Sequence, residues 1–183
     1  ELLIIDPADR AQGIIDWIQS EGLKPVAILL THGHFDHIMA VEGLRKEYQI
    51  PMYASKDEVE VLANPQLNVS TMMGAYVSMK ADELFADGDV LELAGMKLKV
   101  ISTPGHTIGS VCFYIEEEKM LISGDTLFEA SVGRTDFPTG SSRQLIHSIK
   151  TRLFILPEDV NVFPGHGEVT SIAYEKTHNP FIF

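Results

Sequence analysis

One cysteine in 183 residues excludes any internal disulfide. That residue, Cys112, sits in the apolar run 110–115 and reads as a buried, inert thiol. Basic residues are also scarce, with 14 Lys and Arg against 26 Asp and Glu and a net charge of −12. No basic cluster breaks that balance, which argues against nucleic acid as a partner. Bound divalent cations would offset part of the negative charge. No apolar stretch approaches the length of a membrane span, so no membrane partner is expected. No secretory signal is visible, and a cytoplasmic protein is the expectation. Repeats, low-complexity tracts and linkers are missing too. With 45% hydrophobic and 22% charged residues, what remains is a packed chain of one domain's length, spanning 1–183.

The first half alternates strand and helix. Residues 2–5 form a short strand stopped by Asp6-Pro7. Ile14, Ile15, Trp17 and Ile18 give a helical stripe that Gly22 ends. Residues 26–30 form an uninterrupted apolar strand, as expected of one covered on both faces. Ile38, Val41, Leu44 and Tyr48 recur at helical spacing, residues 51–54 make a third strand, and Ser55-Lys-Asp-Glu58 reads as a capping box. Residues 64–86 are less regular, and the methionines there, Met72, Met73 and Met79, read as core fillers. The second half shows antiparallel patterning: residues 96–100 and 111–115 alternate, and a charged turn at 116–119 leads into 120–123. Leu145, Ile149 and Leu153 mark a late helix, and 160–163 a last strand. Mixed sheets with helices outside predict a layered α/β sandwich.

Three histidines and a carboxylate fall within residues 31–37, Thr-His-Gly-His-Phe-Asp-His, directly after the second strand. Neutral imidazole and carboxylate suit borderline divalent cations. On an extended chain His32 and His34 point the same way and can reach one ion. A turn at Phe35 then lets Asp36 and His37 face a neighbouring point. The competing reading is a polar loop in which Asp36 caps the next helix. Three further segments end strands and place a ligand-type residue beside glycine: Gly105-His106, Gly124-Asp125 and Gly165-His166. Together these predict two sites. His32, His34 and His106 would hold one ion, and Asp36, His37 and His166 the other. Asp125 would bridge them. Positions left open to water mark a catalytic rather than a structural site. His147 and His178 read as surface residues.

Thr-His-x-His-x-Asp-His, followed by Pro-Gly-His-Thr, Gly-Asp-Thr-Leu-Phe and Pro-Gly-His-Gly, resembles the metallo-β-lactamase superfamily. Gly133-Arg-Thr-Asp-Phe137 and the closing Asn179-Pro-Phe181 are similar to its glyoxalase II group, the short bacterial members above all. The resemblance implies an αββα four-layer sandwich with metals at one edge. It also implies a dinuclear centre of zinc, iron or both. The implied reaction is hydrolysis of a small-molecule thioester such as S-lactoylglutathione by a metal-bound hydroxide that Asp36 orients. Long members continue into a helical domain that carries much of the glutathione surface, and the family normally opens with a strand hairpin ahead of Asp6-Pro7. Residues 1–183 span neither segment. Alternatives within the superfamily are a mononuclear-iron persulfide dioxygenase, in which residues matching Asp36, His37 and His166 bind no metal, and a lactonase. A zinc β-lactamase of the cysteine-ligand type fits poorly. Arg134 is a candidate substrate contact, set against an internal salt bridge with Asp136.

Overall fold

A computed structural model describes residues 1–8 and 10–182. Strands β1 (Leu2–Ile5), β2 (Pro25–Leu29), β3 (Met52–Ser55) and β4 (Glu83–Phe85) form one sheet in that order, with every pair parallel. Parallel neighbours need crossovers. These carry α1 (Ala11–Ser20), α2 (Val41–Tyr48) and α3 (Val59–Ala63). The second sheet contains β5 (Val90–Leu93), β6 (Met96–Ser102), β7 (Val111–Ile115) and β8 (Met120–Gly124). A small hairpin follows, β9 (Leu127–Phe128) and β10 (Ser131–Val132). Then come α4 (Ser142–Ser148), β11 (Asn161–Pro164), β12 (Thr170–Ser171) and α5 (Ile172–His178). The six strands of the second sheet run in the order β12-β11-β8-β7-β6-β5, and β11 with β8 is its one parallel pair. The expected mixing of strand directions is thus confined to this sheet.

Period-two patterning decides which layer each residue enters. On β2, Ile28 packs towards α1 and α2, while Ala27 and Leu29 enter the space between the sheets. On β7, Val111, Phe113 and Ile115 face that same space, and Cys112 and Tyr114 face the other way, towards Leu145, Ile149 and Ile172. Three apolar layers therefore separate four structural ones, and the architecture is the αββα sandwich. Phe85 and Phe113 meet edge to face across the middle layer at 5.6 Å.

Three local expectations are corrected. Trp17 is half exposed, so the helical stripe of α1 is narrower than its sequence suggests. Met79 is core, but Met72 and Met73 project into solvent from a short turn after Val69. The capping box forms only by half. Ser55 Oγ accepts from Asp57 N at 3.2 Å, whereas Glu58 turns inward and is buried. A carboxylate with better donors across the fold has no reason to reach back to its own cap. The late helix runs through Leu145 as expected and continues as a wider turn over Ile149–Leu153.

Phe113→Ala is expected to lower unfolding free energy by about 3–5 kcal/mol, because it empties the inter-sheet layer. Urea denaturation with an unchanged m-value measures this. A loss under about 1 kcal/mol would mean that the layer is not the main core.

Candidate metal centre

The ends of β2, β6, β8 and β11 lie at one edge of the sandwich, and each is followed by a predicted ligand. His34 is extended (φ −67°, ψ 149°), and the chain then closes a tight turn over Phe35–His37. That change of direction splits the loop between two donor sets. The donor atoms of His32, His34 and His106 lie within 4.8 Å of one another, as do those of Asp36, His37 and His166. Asp125 stands between the sets. Its Oδ2 is 3.6 Å from His106 Nε2 and 3.7 Å from His166 Nε2, and its Oδ1 is 3.4 Å from His37 Nε2. Asp36 makes no capping hydrogen bond, and its Oδ2 faces His166 Nε2 at 3.2 Å. All seven predicted ligands therefore converge.

The donor chemistry fits a cation. His32 Nε2, His34 Nε2, His37 Nε2 and Asp125 Oδ1 are buried and have no hydrogen-bond partner, an arrangement that costs free energy unless something fills it. The Nδ1 atoms of His32, His37 and His106 are already engaged by groups behind the rings. His106 Nδ1 donates to Arg134 O at 2.7 Å, which leaves a lone pair on Nε2, 2.8 Å from His34 Nδ1. Burial, and then neighbouring imidazoles, hold His32 well below the ordinary histidine range and bring His34 down to about 3. Burial lowers His106 as well. Neutral imidazole is the ligand form. His37 behaves oppositely: burial opposes its charge, but the Asp125 carboxylate 3.4 Å away and the hydrogen bond and charge of Asp6 outweigh it and push the ring up to about 10. In the absence of an ion, a proton is the cation that answers those carboxylates. Asp125 is burdened by burial yet held below the usual carboxylate range by His37, His106 and His166.

Sequence reasoning missed Asp6, read only as a strand stop. Its carboxylate accepts from Thr31 N (2.7 Å), Thr31 Oγ1 (2.5 Å) and His37 Nδ1 (3.1 Å). Thr31 Oγ1 in turn lies 3.1 Å from His32 Nδ1 and can accept from it. Asp6 thereby directs Nε2 of both rings inward. It is also near enough to be grouped with His32 and His37 as a ligand, but its oxygens are engaged by these donors, so its role is support. The available signal was an acid at the end of a strand that pairs with the ligand-bearing strand. Two glycines are required by close approach. A Cβ on Gly165 would lie 2.5 Å from Asp125 Oδ1, and one on Gly124, at φ +48°, 2.2 Å from Thr31 Oγ1.

Arg134 makes a two-pronged pair with Asp136 (2.8 and 2.7 Å) and lies 3.8 Å over the Phe137 ring. The internal salt bridge is therefore what forms, although the side chain also lines a cavity of about 460 Å³. Phe35, Phe128, Val132 and Phe137 wall this cavity, and His34, Asp36 and Asp125 floor it. His147 and His178 are exposed, and the buried Cys112 thiol is pushed up to about 11 by desolvation. No helix among the described residues is long and apolar enough to cross a membrane.

The family description "Metallo-beta-lactamase superfamily" matches residues 1–166. The chain belongs to that superfamily. It is 41% identical to a probable metallo-hydrolase, YqgX, of Bacillus subtilis, over all of this chain and 87% of the relative. It is 35% identical to the hydroxyacylglutathione hydrolase GloC of Haemophilus influenzae, over 98% of this chain and 86% of that one. Among solved structures, BLEG-1 B3 metallo-beta-lactamase superposes with a TM-score of 0.94 at 42% identity, covering 98% of this chain and 88% of the other. TTHA1623 in a di-iron-bound form gives 0.88 at 36% identity, covering 97% and 87%.

Asp6→Asn is expected to weaken metal binding by roughly 10–100-fold, the usual cost of losing a carboxylate behind a ligating histidine. Competition against a chromophoric chelator reads this, and unchanged affinity would remove Asp6 from the supporting shell. The raised His37 value also sets a direction with pH. In the metal-free protein its stabilising contribution is complete below the unfolded value of 6.5 and is lost as pH rises towards about 10. Metal-free melting temperatures across that window should fall more steeply for the wild type than for His37→Gln. Parallel slopes would refute the assignment.

Proposed function

We propose that this superfamily member is a metal-dependent hydrolase with a dinuclear centre, cleaving thioesters of the hydroxyacylglutathione class, S-lactoylglutathione being the reference substrate. The observation that carries this reading is the pair of three-residue donor sets sharing Asp125 at the floor of one cavity. Divalent ions, zinc or iron, would be held by His32, His34 and His106 and by Asp36, His37 and His166, and would supply a lowered pKa for water, from about 15.7 towards about 7, and polarisation of a carbonyl. The second set, Asp36, His37 and His166, favours two ions over the mononuclear alternative. Likeness to the H. influenzae hydroxyacylglutathione hydrolase supports the thioester.

The protein's own residues have distinct tasks in this scheme. Asp36 is the more exposed of the two carboxylates that floor the cavity; with Oδ2 towards His166, its Oδ1 is free to accept the proton of an attacking water and aim its lone pair. His32, His34 and His106, held neutral, donate lone pairs without competing for that proton. Phe35, Phe128 and Phe137 exclude bulk water from the acyl group, which strengthens the electrostatics within. Arg134 sits at the rim, where a carboxylate of the thiol carrier can compete with Asp136 for the guanidinium. A second reading, β-lactam or lactone hydrolysis by the same centre, is favoured by the 42% identity to the BLEG-1 B3 metallo-beta-lactamase.

Side-by-side assays of the metal-loaded protein on S-lactoylglutathione, a β-lactam, a lactone and a persulfide (by oxygen uptake), with elemental analysis, separate these readings. Two ions per chain and preference for the thioester are expected; one iron with oxygen uptake would replace the proposal. Asp36→Ala should lower kcat by at least about 100-fold, the low end for loss of a group that handles the proton. Its melting temperature should stay close to wild type. Unchanged turnover in metal-loaded Asp36→Ala would refute the role.

A further inference from the structure

Glu58 is 1% exposed and spends its carboxylate on donors other than the clustered histidines, joining the two loops that carry the first donor set. Its Oε1 accepts from Gly33 N at 2.9 Å, between His32 and His34. Its Oε2 accepts from Thr107 Oγ1 at 3.0 Å and Gly109 N at 2.8 Å, just past His106. The bases of these loops are already tied, because Thr31 O accepts from Val111 N at 2.9 Å. Glu58 adds the tie near the ligands. The approach is close: a Cβ on Gly109 would lie 2.5 Å from Glu58 Oε2. Burial pushes the carboxyl up to about 7 even though all three donors favour its charged form. Nothing in the proposed reaction uses this group.

We propose that Glu58 is a positioning residue, whose two carboxylate oxygens clamp the 31–37 and 103–109 loops at the separation that lets His32, His34 and His106 share one cation. The clamp needs both oxygens. In Glu58→Gln one oxygen becomes an amide NH₂, which must face the N–H of either Gly33 or Gly109, so one backbone tie is lost whichever way the amide turns. The inference rests on the ligand assignment and not on the choice of substrate.

The test is the affinity of the purified full chain for Co²⁺, measured against a competing chelator, together with the visible spectrum of the bound ion. Glu58→Gln is expected to raise Kd about 10-fold or more and to alter the spectrum. Thr107→Val, which removes one donor, should shift Kd less in the same direction. It also serves as the readout if Glu58→Gln does not fold. Leu153→Ala, a core truncation outside both loops, controls for lost stability and should leave Kd and spectrum at their wild-type values. Wild-type Kd and spectrum in Glu58→Gln, or in Thr107→Val where that variant is the readout, would overturn the role alone. A shift in Leu153→Ala equal to that in Glu58→Gln would also overturn it. Absence of binding by the wild-type chain would overturn the ligand assignment as well.

Discussion

Five imidazoles crowd one edge of this sandwich, and the structure depends on how their protons are distributed. Four of the rings, those of His32, His34, His37 and His106, are buried and within a few ångströms of one another. If all four were charged, repulsion and desolvation would drive the loops apart. If their nitrogens were randomly protonated, no common point would receive lone pairs. Acceptors placed behind the rings resolve both problems: Asp6 behind His37, Thr31 behind His32 and the Arg134 carbonyl behind His106. Thr31 and the Arg134 carbonyl take the outward N–H and leave the inward nitrogens of His32 and His106 bare, while Asp6, with Asp125 on the inner side, favours the charged form of His37. The cost is a set of unpartnered buried atoms, which is the form a cation site takes before the cation arrives.

The fold supplies this arrangement by bringing strand ends together. β2 from the parallel sheet and β6, β8 and β11 from the other deliver their ligands to a shared edge. Because the sheets pack through a rigid apolar layer, loop separation is inherited from core packing. Glu58 and Asp6 then correct what strand placement leaves loose. Asp6 spans from β1 to the loop after β2, and Glu58 spans from the start of α3 to both loops of the first donor set. Two buried or half-buried acids thus do structural work beside the acids that face the cavity.

The cavity has a different character from the floor beneath it. Its walls are aromatic and come largely from the 127–137 segment. That segment is pinned from behind: Asn179 donates to Ser131 O, and Glu175 accepts from Ala130 N. The closing Asn-Pro-Phe therefore bears on pocket shape rather than on ligation. Selectivity within this superfamily can vary through such a wall while the donor sets stay constant.

The sequence by itself singled out the seven side chains that converge at this edge, because metal chemistry restricts residue types and strand-end spacing restricts direction. It also determined the strand and helix periods, hence the layered architecture. Only tertiary structure decided the roles of Asp6 and Glu58. Both have local readings that are complete without long-range contact, a strand stop and a capping box, and their true partners lie 25 or more positions away. It likewise decided that Met72 and Met73 face solvent, since residues 64–86 have no period to assign a face. Arg134 and Asp136 stand two residues apart, but that they pair, with the guanidinium lying over the Phe137 ring, is a fact of the fold rather than of the spacing. Local chemistry can be read from a string of residues; the partner that a buried charge selects from across the fold cannot.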